Sequence, residues 1–309
     1  MILFCGIPSE GPLALAIEAA CNAGVKHVLF NQRYASYADM DLRTGNRGLS
    51  GVLRLGEAEY PLEAFTGVYT RMIEETSLPE NHVVSRRKPD LQKNHRSLFV
   101  HRMLLEWIEG AACRVVNRAR HMSSNGSKPF QAQAIAQVGF QTPPTLITND
   151  PEEACEFIHE HRRVIYKSIS SIRSIVRECH PRTPAALARI RNLPTQFQAK
   201  ISGTNVRVHV AGEAVFATEI QCDAVDYRYA DRDGQSAEMR PVELPENVAC
   251  RCRRLAKELH LPLCGIDLMR TGNGEYFCLE ANPSPAYSYY QENTRQPIAD
   301  ALVKYLIGD

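Results

Sequence analysis

Two acidic residues and an asparagine interrupt apolar segments near the carboxyl end of this 309-residue chain. Asp267 lies within residues 265–269, whereas Glu280 and Asn282 follow on the next apolar segment. Carboxylate and amide oxygens are the ligands that Mg²⁺ prefers. Residues two apart in an extended chain face one side, so Glu280 and Asn282 can act together. We predict a site for one or two Mg²⁺ ions. The alternative is that these residues cap the end of a hairpin, but two adjacent carboxylates repel each other without a cation.

The first 75 residues have the alternating pattern of a small α/β domain. The predicted elements are a strand at 2–7, a helix at 13–23 and strands at 27–30, 52–55 and 67–72. The turn at 8–11 lacks the spaced glycines of a dinucleotide fingerprint. An anion cradle and an ordinary strand-to-helix turn are its two interpretations, and we favour the ordinary turn.

The rest of the chain supplies the elements that must position the acidic residues. They are predicted as a strand at 115–117, a helix at 127–138, strands at 143–148, 164–167 and 195–201, a hairpin of 205–210 with 214–220, a helix at 248–259 and a hairpin of 265–269 with 276–279.

Composition excludes several classes of protein. The 36 basic and 35 acidic side chains leave a net charge of +1, so no global field attracts nucleic acid or an anionic membrane. No window reaches the apolar length that a membrane helix needs, and no secretory signal is evident. The 10 cysteines lack paired metal-site spacing, so we expect reduced thiols and a cytoplasmic location.

One basic stretch stands apart from this balance. Residues 82–96 include Arg86, Arg96 and three further basic side chains against a single acid, Asp90. A solvated connector is the plain interpretation. The alternative is a docking site for an acidic peptide, because clustered guanidinium groups bind carboxylates in bidentate fashion.

Asp267 on one strand and Glu280-x-Asn282 on the next, preceded by Lys128 and Lys167, resemble the ATP-grasp superfamily and, most closely, its RimK-type ligases. The resemblance extends from about Asn117 to the carboxyl terminus. Segments within it are similar to the graspetide, or microviridin-type, peptide ligases, namely residues 128–131, 144–152 and 164–167.

The resemblance implies a fold of mixed α/β and α+β class. A Rossmann-like pre-ATP-grasp domain with a helical connector would occupy residues 1–116. The two subdomains of the ATP-grasp fold would follow, the central one at 117–197 and the carboxyl-terminal one at 198–309. A nucleotide is held between these two subdomains in the family.

The resemblance also implies roles in ATP binding. Lys128 and Lys167 match the two lysines that reach the nucleotide phosphates. Asn205 stands where the family usually has an acid for the ribose. A hinge whose backbone reads the adenine edge is matched by Gln198, Ala199, Lys200 and Ile201, although a plain strand has the same pattern.

Two arginines match residues near the transferred group, where a guanidinium stabilises developing charge. They are Arg207 and, less clearly, Arg228. The segment after Lys167 aligns with the loop that covers the phosphates but contains no glycine. Its Ser170 and Arg173 could donate to phosphates instead, or the segment is an ordinary polar loop. Residues 284–290 would shape the pocket of the accepting nucleophile or form an aromatic core cluster.

The implied activity is an ATP- and Mg²⁺-dependent ligase that joins a carboxylate to an amine or hydroxyl through an acyl phosphate. An amino-acid or peptide substrate is expected, and nucleic acid and membrane are not. No protein nucleophile is needed, so we assign none to cysteine or histidine, His209 included. Alternatives are a macrocyclising peptide ligase, an ATP-binding regulator with weak turnover and, least supported, a NAD-dependent enzyme. A homo-oligomer stays open.

Overall fold

The computed structural model of the chain describes residues 1–46, 48–78, 91–168, 177–179, 183–221 and 238–309. The strands are β1 (Ile2–Gly6), β2 (His27–Asn31), β3 (Ala38–Gly45), β4 (Gly48–Leu55), β5 (Ala58–Pro61), β6 (Gly67–Thr70), β7 (Arg114–Val116), β8 (Thr145–Thr148), β9 (Val164–Ser168), β10 (Arg177–Glu178), β11 (Thr195–Ala199), β12 (Thr204–Ala211), β13 (Ala214–Gln221), β14 (Glu238–Val242), β15 (Leu263–Arg270) and β16 (Tyr276–Asn282). The α-helices are α1 (Gly11–Asn22), α2 (Leu91–Gly110), α3 (Ala119–Met122), α4 (Lys128–Gln137), α5 (Pro151–His161), α6 (Glu246–Glu258), α7 (Tyr287–Thr294) and α8 (Ile298–Ile307).

The amino-terminal part is built on a parallel sheet in the order β2-β1-β6-β7. Strand β1 is buried along its whole length because it is flanked on both sides. The predicted strand-helix-strand opening is present. The Glu10 carboxylate accepts a hydrogen bond from the Leu13 amide at 2.9 Å and caps α1. An acidic side chain therefore holds the first turn of this helix, which favours the ordinary turn over an anion cradle.

An antiparallel sheet of β3, β4 and β5 lies beside this core. Only its segment at 52–55 was predicted as a strand. The outer end of β3 is exposed and polar, so hydrophobic alternation is weak there and the sequence pattern misses it.

The central sheet has the order β10-β9-β11-β8, and its two faces differ. Val164 and Phe197 pack with Ile158 of α5 in a small hydrophobic core. The opposite face carries polar side chains at alternating positions, with Gln196 directly across from Lys167. This alternation makes one face structural and leaves the other available for binding.

The carboxyl-terminal sheet is antiparallel throughout, in the order β14-β13-β12-β15-β16. Val206 and Val208 of β12 point to one face and pack with Leu255 of α6. Because side chains alternate along a strand, Arg207 and His209 lie on the other face. The same alternation therefore builds the core and presents the basic side chains.

Helix α8 connects the two ends of the chain. Leu302 and Leu306 share a hydrophobic core with Ile2 and Phe4 of β1. A Cβ on Gly67 would lie 2.5 Å from the Leu306 carbonyl oxygen, so the helix sits directly on the amino-terminal sheet. We retain division into domains at 116/117 and 197/198 as a proposal. Among the described helices, none combines the length and the apolar character of a membrane span.

Candidate active site

Three charged side chains form a row across neighbouring strands. Arg207 of β12 pairs in register with Asp267 of β15, and Asp267 pairs with Glu280 of β16. Directly opposed residues share one face of a sheet, so the predicted arginine and two predicted metal ligands meet. A bulge next to Asp267 leaves Leu279 outside the pairing. Bulges of this kind re-aim side chains and occur beside active sites.

The guanidinium of Arg207 is held from several sides. It is 5% exposed, and its Nη1 donates to Asp267 Oδ1 at 2.8 Å. Its Nε donates to His209 Nε2 at 3.5 Å, and its carbon lies 5.6 Å from the centre of the Tyr290 ring. A Cβ on Gly265 would approach Nη2 to 2.0 Å. The absent side chain at Gly265 therefore creates the space that Arg207 fills.

His209 supports this arginine as a neutral ring. Burial first, and then the charge of Arg207, keep the pKa of His209 well below its usual value. The unprotonated Nε2 can therefore accept from Arg207 at neutral pH. The ring packs 4.8 Å from that of Tyr290. The sequence analysis assigned no catalytic role to His209, and this stays a prediction.

Glu280 has its own cationic partner. Lys128, the first residue of α4, places Nζ 3.1 Å from Glu280 Oε1 and donates to Asn125 Oδ1 at 3.1 Å. Asp267 is likewise paired with Arg207 at 2.8 Å. The repulsion expected between the two carboxylates is therefore already offset by side chains. The case for a metal rests on the oxygen ligands and not on repulsion.

The backbone that carries the acidic residues is fixed by two buried amides. Gln131 of α4 donates to the Ala281 carbonyl at 2.7 Å and accepts from the Ala281 amide at 3.1 Å. Asn117 donates to the Leu263 carbonyl at 2.7 Å and to the Pro283 carbonyl at 2.6 Å. The segment is thus held between Glu280 and Asn282, at Ala281, and directly after Asn282, at Pro283.

Asn282 ends β16 with its side chain half-buried. Its Oδ1 accepts from the Ser284 amide at 2.9 Å, which orients the amide and leaves a second lone pair on the oxygen. Two carboxylates and one amide oxygen form a hard donor set that suits Mg²⁺ with retained water ligands. The residues present therefore fit the predicted metal.

A cavity of about 310 Å³ opens beside this cluster, between the polar face of the central sheet and α4 with β16. Lys128, Lys167 and Gln198, three predicted ATP-binding residues, line it together. Cys278 also lines it, and burial raises the pKa of this thiol well above its ordinary value. A shift in this direction favours the protonated thiol, which is a weaker nucleophile than the thiolate.

The predicted hinge follows the cavity. Gln198 donates from Nε2 to Thr145 Oγ1 at 2.9 Å. The amides of Ala199 and Lys200 already donate to backbone carbonyls. The Ile201 amide makes no hydrogen bond to any residue that the structure describes. Ile201 is therefore the hinge amide with donor capacity left for a ligand.

The side chains of Lys200 and Asn205 take different positions. Lys200 Nζ lies 2.8 Å from Glu178 Oε2. This lysine and Arg163 lower the pKa of Glu178 to about 2. The side chain of Lys200 thus serves an ion pair. Asn205 lies two residues before Arg207 on β12, on the same face of the sheet.

Residues 284–290, which follow Asn282, have different roles. Arg71 donates to Ser284 Oγ at 2.6 Å and pairs with Glu10, so it ties this loop to the amino-terminal domain. Tyr287 is fully buried, which fits the core alternative at that position. Tyr290 packs against the arginine described above and belongs to the site.

Several predicted residues lie outside the described part of the chain. They are Ser170, Arg173, Arg228 and most of the basic stretch, residues 86–90. Among the described residues, the sequence analysis gave no role to Gly265, Gln131 or Asn117. A glycine inside a buried strand signals close approach of another group, and this signal could have identified Gly265. The bonds of Gln131 and Asn117 span about 150 residues and have no local signature.

Residues 127–306 match a family model, the RimK-like ATP-grasp domain. The match covers more than half of the chain, and the chain belongs to the RimK-like ATP-grasp family. Its curated relatives carry the names of ligases and synthases, so by class it is an ATP-grasp ligase.

Two relatives illustrate the range of these names. A probable alpha-L-glutamate ligase of Picosynechococcus sp. is 23% identical over 200 residues, which are 62% of this chain and 66% of that protein. Human N-acetylaspartylglutamate synthase A is 22% identical over 216 residues, 66% of this chain and 55% of that protein. The alignments span no more than two thirds of either relative.

Two solved structures match the chain over nearly its full length. The RiPP-associated ATP-grasp ligase of Chryseobacterium gregarium, in complex with ADP and a leader and core peptide, has a TM-score of 0.80 and 20% identity, covering 99% of this chain and 96% of that chain. The ATP-grasp ligase PsnB, complexed with a phosphomimetic variant of its minimal precursor, Mg and ADP, has a TM-score of 0.78 and 26% identity, covering 99% and 97%. The shared fold therefore includes the amino-terminal domain.

Proposed function

We propose that this protein uses ATP and Mg²⁺ to join a carboxylate to an amine or hydroxyl on a peptide substrate. The row of Arg207, Asp267 and Glu280, which the Lys128–Glu280 ion pair joins to the 310 Å³ cavity, supports this proposal most strongly. These side chains, carried by three strands and one helix, would supply a metal site, a phosphate-binding lysine and a charge-stabilising arginine.

The cavity would hold the nucleotide. Its volume is that of a small-molecule site. The Ile201 amide would donate to the adenine edge, and Lys128 and Lys167 would offset phosphate charge. Asn205 would contact the ribose. Lys128 is bound to Glu280 in the structure, so a phosphate would share this lysine with the carboxylate.

Asp267, Glu280 and Asn282 would hold the metal. When bound, Mg²⁺ would supply the positive charge that neutralises negative charge developing during transfer. Arg207 keeps Asp267 oriented through the 2.8 Å hydrogen bond. Gln131 keeps Glu280 and Asn282 in place through the backbone between them. Positioning and electrostatics are the main contributions of a protein to this class of reaction.

The reaction would take place in two steps. An oxygen of the substrate carboxylate attacks the γ-phosphorus of ATP, the bond to the β–γ bridging oxygen breaks, and ADP leaves. The amine or hydroxyl then attacks the acyl carbon and gives up its proton to solvent. Inorganic phosphate leaves with one oxygen of the former carboxylate. The guanidinium of Arg207 would stabilise negative charge on the transferred and acyl groups.

Full-length similarity to peptide-bound ligases favours a peptide over a free amino acid as substrate. The matches to ligases crystallised with precursor peptides cover 99% of this chain, with TM-scores of 0.80 and 0.78. A macrocyclising enzyme, joining side chains within one precursor, is the form of this activity that we infer. The cysteines in the described part of the chain form no disulfide bond with one another, which is compatible with the cytoplasmic location that we propose.

The experiment uses the full chain with ATP, Mg²⁺ and a synthetic precursor encoded beside its gene, a short peptide rich in Thr, Ser, Lys and Glu. We expect ADP release and a peptide that loses the mass of one water for each bond formed. With heavy oxygen in the Glu carboxylates, the released phosphate should carry the label. Label-free phosphate accompanied by bond formation would contradict the acyl phosphate.

A ligase for free amino acids is the second candidate, favoured by the named glutamate ligases. It predicts ADP release with free glutamate and an amine acceptor but none with the precursor. ATP binding without turnover on either substrate would instead indicate a regulatory protein. The same ADP assay therefore separates the three activities.

A further inference from the structure

A second cavity, of about 680 Å³, lies at the opposite end of the carboxyl-terminal sheet. It is bordered by the turn at Gly212, by α6, and by the segment that contains β7 and α3. Gly212 is five residues beyond Arg207, and a strand rises about 3.3 Å per residue. The two sites are therefore about 17 Å apart along β12, and no residue lines both cavities.

The lining of this distal cavity is strongly basic. One group comes from α6 and the residues just after it, namely Arg253, Arg254, Lys257 and His260. The other group comes from the β7–α3 segment, namely Arg114, Arg118 and His121. A single carboxylate, that of Glu213, stands against them among the lining residues. Charge of one sign in a concave site focuses the field on anions.

Three of these cations already have partners. Arg118 donates to four backbone carbonyls of the preceding segment. Arg114 donates to the Tyr305 carbonyl at 2.6 Å, and Arg253 pairs with Glu246. These arginines build the wall of the cavity. Arg114 and Arg118 keep their full charge, since carbonyls do not neutralise it, whereas Glu246 offsets the charge of Arg253.

Arg254, Lys257 and His260 are the remaining basic side chains of the α6 group. All three are exposed, and Arg254 and Lys257 have no hydrogen-bonding or ionic partner among the residues that the structure describes. Arg254 and Lys257 are three residues apart on α6, which is about 4.5 Å along the helix axis. The His260 ring lies 4.8 Å from that of His121 across the cavity, which brings the two basic groups together.

We propose that the distal cavity binds an anion with at least two phosphate or carboxylate groups. Arg254 and Lys257 would each take one group, because charge-assisted hydrogen bonds to oxyanions are the strongest that these side chains make. The volume lies within the range of ligand pockets. Either a small phosphorylated ligand or neighbouring acidic side chains of a peptide would supply this chemistry.

Titration calorimetry with two probes tests the proposal. Inorganic pyrophosphate represents the small ligand and triglutamate the acidic peptide. The nucleotide cavity is filled with saturating ADP, and EDTA removes metal. We expect the wild-type chain to bind at least one probe, more weakly at high salt because exposed charges are then screened. The probe that binds tighter identifies the source of the anion.

The deciding comparison is between two double variants. In Arg254→Ala/Lys257→Ala the affinity should fall at least about tenfold, the effect of losing two charge-assisted contacts. Arg43→Ala/Arg102→Ala, which removes two exposed arginines of the amino-terminal domain, should bind within about twofold of the wild type. Both variants should bind ADP normally, so failure here is distinct from failure of the proposed ligase activity.

Two results would overturn the proposal. One is the absence of binding by both probes to the wild-type chain. The other is equal affinity of the two double variants, together with a lower melting temperature of Arg254→Ala/Lys257→Ala. That outcome would mean that these cations only complement the dipole at the end of α6.

Discussion

Substitution of Gly265 by alanine should disable catalysis through the displacement of Arg207. The new Cβ would lie 2.0 Å from Arg207 Nη2, whereas real Cβ contacts stay above 3.0 Å. The guanidinium must therefore move by at least about 1 Å, and its 2.8 Å bond to Asp267 breaks. A misplacement of about 1 Å can cost about 100-fold in rate, and loss of one charge-stabilising donor costs about as much or more. We predict a kcat about 100-fold lower.

The assay is ADP release under saturating ATP, with the affinity for ADP measured separately by calorimetry. The ADP affinity should change by less than about threefold because Gly265 does not line the nucleotide cavity. The guanidinium is the flexible end of a side chain, but Pro285, whose Cβ would lie 2.8 Å from the new Cβ, must also shift slightly. Overpacking costs about 1–3 kcal/mol, so we expect a folded variant with a lower melting temperature. Gly272→Ala is the matched control on the same hairpin, since a Cβ there meets nothing within 4 Å.

The reasoning fails if folded Gly265→Ala turns over as fast as Gly272→Ala. It also fails if ADP affinity collapses together with kcat, because the substitution would then act on the whole site. A charge-preserving check is Arg207→Lys. It keeps the positive charge but loses the planar contacts with Asp267 and Tyr290, so it should be as slow as Gly265→Ala.

Three further predictions concern the supporting residues. Gln131→Leu leaves the buried amide and carbonyl of Ala281 without partners and should lower the free energy of unfolding by about 2–4 kcal/mol in urea denaturation; a loss under about 0.5 kcal/mol would contradict the pinning role. Lys128→Met should weaken ADP binding about tenfold in calorimetry, and unchanged affinity would remove Lys128 from the phosphate site. The pKa of Glu178 is lowered from 4.5 to about 2, so its ion pair stabilises the fold above about pH 4.5 and is lost as the pH falls towards 2. The difference in melting temperature between the wild type and Glu178→Gln should therefore shrink over that range. A difference that increases on acidification would contradict the stabilising role of the ion pair.

The sequence analysis named the charged residues that the structure brings together and predicted most of the strands that carry them. The sequence analysis expected Asp267 to meet Glu280 across the turn at 272–274, and the two residues are paired. The register of a simple hairpin would oppose Asp267 to Leu279 instead, so the bulge beside Asp267, which the sequence analysis did not predict, brings Glu280 opposite it. Lys128 and Lys167 line one cavity, as the family resemblance implied. Such features involve residues that are close in the sequence, or they follow from the motif spacing of the family that the sequence resembles.

The contacts that rigidify the site could not be predicted. Gln131 and Asn117 bond to backbone about 150 residues away, and such pairs leave no periodic trace in the sequence. The pairing of Glu280 with Lys128 also depends on how α4 docks on β16. Sheet β3-β4-β5 was predicted only at 52–55, because the exposed end of β3 lacks clear alternation. Tertiary packing, rather than local propensity, decides each of these features.

The central claim is that the oxygen ligands on β15 and β16 bind a divalent cation together with nucleotide phosphates. Calorimetric titration of a non-hydrolysable ATP analogue, with Mg²⁺ and then with EDTA, tests it directly. We predict that Mg²⁺ tightens binding to the wild-type chain and that Glu280→Gln loses this gain while its affinity in EDTA stays the same. Equal affinities with and without Mg²⁺ in the wild type, or a full Mg²⁺ effect in Glu280→Gln, would contradict the claim.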